Sequence, residues 1–97
     1  MSQFRTSVLY GGNLMYFQYL NIDSTNIKFT QDTTILGLTS TEIVVPKKYV
    51  RKVIINNNII GCEVTIYYCY PFQQYENTIN IVGLKKEEGR KIKSLLL

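Results

Sequence analysis

Histidine, tryptophan and alanine are missing from this 97-residue chain, and proline and cysteine occur only twice each. Without histidine there is no side chain that titrates near neutrality unaided, and the commonest general base and metal ligand are both gone. The few carboxylates do not replace it. Asp23, Asp32, Glu42, Glu63 and Glu76 are scattered, with no pair spaced to shift a pKa, and no glycine-rich phosphate loop is present. The sequence therefore predicts no enzyme, no catalytic residue, no cofactor or metal site and no small-molecule substrate.

Long apolar runs are also lacking. Nothing approaches the roughly 20 residues of a membrane-spanning helix. The first residues, MSQFRTSVLYGGNLMYF, show neither the basic start nor the apolar centre of an export signal. The expectation is a cytoplasmic protein. Cys62 and Cys69 fall within one predicted strand seven residues apart, which sets them on opposite faces and roughly 23 Å from each other. They are expected to be reduced and unlinked.

What remains is ordinary globular material, 45% hydrophobic and 19% charged. At this length the expected organisation is a single domain, 1–97, around one core. Phe4, Thr6, Val8 and Tyr10 alternate with Arg5, Ser7 and Leu9 and run into Gly11-Gly12, a hairpin signal. LMYFQYLNI, 14–22, reads as a second strand that is apolar on both faces, and Asp23–Asn26 as its turn. Ile27 and Phe29 alternate in a third strand, and Gly37 bends the chain. Ile43 and Val45 lie opposite Glu42 in a fourth, ended by Pro46. KKYVRKVII, Asn56–Asn58 as a turn, IIGCEVTIYYCY, PFQQYEN and TINIV continue the series. About seven closely spaced strands predict a mainly β sandwich or small barrel.

The tail changes period. Gly89, Ile92, Leu95 and Leu96 share one helical face, which predicts a helix from Leu84 to about Leu96. Glu87 is placed to pair with Lys91 four residues on. A glycine inside that face costs helix stability unless the backbone must approach a sheet closely there. The helix is expected to plug the open end of the β structure.

From Thr39 onward, Val45-Pro46 followed by Val50 and Val53, then a hairpin, then Gly83-Leu84-Lys85-Lys86 leading into the helix, is a pattern that resembles the bacterial pleckstrin-homology-like (PH-like) domains. The resemblance implies a bent antiparallel barrel of about seven strands capped by one C-terminal α-helix. Lipid-binding members of that family hold phosphoinositide through basic residues around the first hairpin. Here that hairpin, LYGGNLM, has no Lys or Arg.

Two surface features suggest function. Lys47, Lys48, Arg51 and Lys52 surround Tyr49 and concentrate the excess positive charge of a +4 chain. They are the candidate anion-binding residues for nucleic acid or an anionic membrane surface. Tyrosines and phenylalanines on both faces of two strands exceed what one core face can hold. Phe17, Tyr19, Tyr67 and Tyr70 are thus the candidate interface residues. The favoured reading is a non-enzymatic protein-interaction or self-assembly domain, as a homo-oligomer or with a protein partner. The alternative is an anion binder using Lys47 to Lys52.

Overall fold

The computed structural model describes residues 2–10, 14–33, 40–59 and 61–97. Seven strands and one α-helix follow one another in the chain: β1 (Ser2–Tyr10), β2 (Leu14–Ile22), β3 (Asn26–Thr33), β4 (Ser40–Pro46), β5 (Val50–Asn58), β6 (Gly61–Tyr68), β7 (Asn77–Leu84) and α1 (Lys86–Leu96). The strands form two antiparallel meanders, a four-stranded sheet β1-β2-β3-β4 and a three-stranded sheet β5-β6-β7. The expected mainly β chain of about seven strands with one C-terminal helix is present; no strand of one sheet pairs with a strand of the other among the described residues, so in place of the expected barrel the strands form two separate sheets. Gly11-Gly12 and Gly37 lie outside the described residues.

Local chemistry explains most of the boundaries. Asp23 Oδ1 accepts the backbone N–H groups of Thr25 at 2.8 Å and Asn26 at 2.6 Å, which closes the β2–β3 hairpin as an Asx turn. Pro46 ends β4, and a single 3₁₀ turn, Lys47–Tyr49, carries the chain to the second sheet. The Lys47 N–H donates to the Thr25 carbonyl at 2.8 Å and ties that turn to the hairpin. Asn56–Asn58 belong to β5, paired with Glu63, Cys62 and Gly61, so the turn falls later than the asparagines suggest. Asn58 still serves the turn, because its side-chain oxygen accepts the Gly61 N–H at 3.0 Å. β6 stops at Tyr68, which places Cys69 just beyond the strand with its N–H donated to the Tyr49 carbonyl.

β6 shows how sequence becomes burial. Cys62, Val64, Ile66 and Tyr68 are buried, and the residues between them are not. They meet Phe4, Leu20, Ile22, Ile27, Phe29 and Val45 from the first sheet, with Val53, Ile79, Ile81, Leu84 and Ile92 completing the core. Each such aliphatic side chain stabilises the fold by about 1.5–3 kcal/mol before chain entropy opposes it.

The helix closes one end. Leu84 pairs with Cys62 as the last residue of β7, so α1 starts at Lys86 instead of Leu84. Gly83, at φ +78°, makes the break in register that precedes it. Glu88 Oε1 accepts the Lys85 backbone N–H at 2.9 Å, the backward half of a capping box. Glu87 and Lys91 form no ion pair; the described residues hold one, Lys28–Glu42 at 2.8 Å. A Cβ on Gly89 would collide with Cys62 Sγ and touch Val64 Cγ2 at 3.5 Å and Ile55 Cγ2 at 3.6 Å, so the helix backbone rests directly on β5 and β6. Ile92 is fully buried, with Leu95 and Leu96 packed beside it at the core's edge.

Candidate interaction surfaces

The antiparallel register lines up the outer face of the first sheet in rows. Arg5, Tyr19, Thr30 and Glu42 form one row across β1 to β4, and Ser7, Phe17, Asp32 and Ser40 form the next. Leu9 and Met15 extend the face at one end; Gln3, Asn21, Lys28 and Val44 end the other. The apolar side chains therefore make a stripe along β2. Phe17 and Tyr19 are half-buried on this face, Leu9 is 63% exposed and Val44 52%. Two shallow grooves of about 300 Å³ each run beside Tyr19, and Arg5 lines both. Arg5, Lys28, Asp32 and Glu42 cancel in charge, so this face is neutral on a molecule of net charge +4.

Tyr67 is on the outer face of the second sheet, in a row with Lys52 and Thr78. Lys52 Nζ sits 4.5 Å from its ring centroid in a cation–π contact. Its neighbours on that face are Glu63, Thr65, Asn80 and the exposed Ile54 opposite Thr65, with Asn80 Nδ2 donating to Thr65 Oγ1 at 2.9 Å. Tyr70 lies past the end of β6 and packs against the core, edge-on to Tyr49 at 5.3 Å and Tyr68 at 5.7 Å. The four candidate interface residues thus separate into three places. Phe72, stacked on Tyr70 at 5.4 Å and 80% exposed, was not singled out by sequence, where it sits in an apparent turn.

The four basic residues also separate. Lys47 and Lys48 lie on the 3₁₀ turn and line a depression with Ser24, Thr25 and Asn26 of the β2–β3 hairpin. Lys48 Nζ lies 5.2 Å from the Tyr49 centroid. Arg51 occupies the irregularity where β5 joins β6, and Lys52 belongs to the second sheet's outer face. Asp23 is held ionised below its usual range by the backbone N–H of Asn26, then by that of Thr25, with Lys47 adding a small push in the same direction.

Between the sheets lies a cleft of about 450 Å³ lined by Val8, Tyr16, Gln18, Phe29, Ile43 and the edge of β7. Among the described residues Gln18 is the buried polar side chain. Its Nε2 donates to Gln31 Oε1 at 3.1 Å and to the Asn80 carbonyl at 3.3 Å; its Oε1 accepts the Val82 N–H at 3.1 Å and the Thr6 hydroxyl at 3.3 Å. One amide thereby binds β1, β3 and β7 to β2. Sequence reading passed over Gln18 because a lone Gln between aromatics carries no signal for burial.

The two thiols are free, Cys62 buried under Gly89 and Cys69 partly exposed. Burial pushes the Cys62 thiol up, against a smaller pull from Arg90. No three His, Cys, Asp or Glu side chains gather as a metal site among the described residues. No described helix is long and apolar enough to cross a membrane. No protein-family model matches the chain, and no curated protein or solved structure matches it.

Proposed function

We propose that this chain is a non-enzymatic interaction domain of PH-like architecture that assembles with further copies of itself or with a protein partner through the outer face of its first sheet. A four-stranded meander followed by a three-stranded one and a C-terminal helix supports the architectural part. The observation that carries the functional part is the stripe of Leu9, Met15, Phe17 and Tyr19. The helix packs on the side of the second sheet that carries Ile55, Cys62 and Val64, so it does not cover these residues. An apolar stripe of this kind on a neutral face suits a protein contact better than a charged ligand.

The anion-binding alternative has less support, since the basic residues are spread over a turn, a bulge and a sheet face, and Lys48 and Lys52 are engaged with tyrosine rings. Sedimentation equilibrium of the wild-type protein from micromolar to millimolar concentration tests the reading. Reversible association that survives high salt is expected. A monomer throughout, with binding to anionic vesicles or single-stranded nucleic acid that fails in salt, would transfer the function to Lys47–Lys52.

A further inference from the structure

Resting on the self-assembly form of that reading, we infer that the partner on this face is a second copy, packed sheet to sheet about a two-fold axis running along β2, with Arg5 of each copy set against the acidic flank of the other. The charges of the face are arranged by strand. On the β1 side of the stripe the single charge is Arg5; on the β3–β4 side stand Asp32 and Glu42, with Lys28 bridged to Glu42 at 2.8 Å. No acidic partner is described for Arg5 within its own chain.

A two-fold axis along the strands exchanges the two flanks while preserving the position of each row. Arg5, in the row Arg5–Tyr19–Thr30–Glu42, then lies over Thr30 of the second copy. Glu42 is next along that row, and Asp32 lies in the adjoining row. Tyr19 and Phe17 meet their own copies at the centre, beside the grooves that flank Tyr19. An axis across the strands would instead stack β1 on β1 and bring the two arginines together. Charge thus selects the first arrangement, which is also the near-aligned packing that twisted sheets favour about 10 Å apart. Three overlapping strands about 4.8 Å apart and four rows about 6.8 Å apart give a patch on the order of 400 Å² per copy, a small interface that fits weak, reversible association.

Charge reversal tests the arrangement. Arg5→Glu alone, and Asp32→Lys with Glu42→Lys, should each weaken self-association at least about tenfold by opposing like charges. Mixing the two variants should restore a heterodimer, because both symmetry-related contacts are then between opposite charges. Phe17→Ser provides a second, uncharged probe of the same face, and circular dichroism establishes that each variant is folded. A wild-type dimer that Arg5→Glu and Phe17→Ser leave intact, or variants that do not recover on mixing, would overturn this arrangement while leaving self-assembly standing. A wild-type protein that stays monomeric would remove both.

Discussion

The two sheets invert each other's distribution of polar and apolar residues. The three-stranded sheet turns Cys62, Val64, Ile66, Ile79 and Ile81 inward and shows water mostly polar side chains, Lys52, Glu63, Thr65, Thr78 and Asn80, around Tyr67 and Ile54. The four-stranded sheet also contributes a row of buried aliphatics, yet it hides Gln18 inside and leaves Leu9, Met15, Phe17 and Tyr19 outside. One sheet follows the simple rule for a half-buried antiparallel surface with Ile54 and Tyr67 as its apolar exceptions. The other departs from it on both faces, and such departures are where selection for something besides stability is found.

That contrast can be broken most forcefully on the helix side. Ile92→Ala should cost about 2–5 kcal/mol in chemical denaturation, since a fully buried side chain leaves a cavity between α1 and the second sheet. Gly89→Ala should cost about 1–3 kcal/mol through overpacking against Cys62. Adding Cys62→Ala should recover part of that loss, and a double variant no more stable than Gly89→Ala alone would show that the helix contact is not where the strain lies.

Gln18→Leu sharpens the comparison from the other sheet. It strips partners from the Asn80 carbonyl and the Val82 N–H at once and should cost about 1–3 kcal/mol, despite making the interior more apolar. Phe17→Glu, on the opposite face of the same strand, should change stability by about 1 kcal/mol or less. If the two substitutions cost the same, the inversion has no energetic meaning.

A smaller effect concerns pH. Because Asp23 is held below its ordinary value by the Asn26 and Thr25 N–H groups, the folded state favours its ionised form. Its contribution is complete above the unfolded-state value and declines as the pH falls below about 4, through the lower folded value. Asp23→Asn should remove that part of the acid dependence, measured as melting temperature against pH. Smallest is the difference between the thiols. Cys69 should react first with a disulfide reagent in the folded protein, while Cys62, raised by burial and covered by Gly89, should wait for unfolding.

Much of this was legible in the chain. Alternation located the strands, and the 3.6-residue spacing of Gly89, Ile92 and Leu96 found both the helix and its close approach to a sheet. Strand ends were read less well, because they are decided by contacts distant in sequence: Leu84 is held in β7 by Cys62, and Asn56–Asn58 are held in β5 by β6. Of the candidate surfaces, side within a strand could be read and neighbourhood could not. Phe17 and Tyr19 share a face by spacing alone, whereas the separation of Tyr67 and Tyr70 from them follows from how two sheets are placed. Gln18 was invisible for the same reason, as its partners are up to 64 residues away.

Gln18 bears on the form that the proposed assembly would take. Its amide accepts from the N–H of Val82 and donates to the carbonyl of Asn80, the pair of bonds that a residue of a neighbouring parallel strand would make around Ile81. The edge of β7 that faces the first sheet is thus met by a surrogate strand one residue long. A sheet edge left open is a template for endless addition of chains, whereas an occupied edge is not. With β7 blunted in this way, that edge does not template an added strand, and the proposed two-fold contact between faces would close on itself as a counted pair in place of a growing fibre.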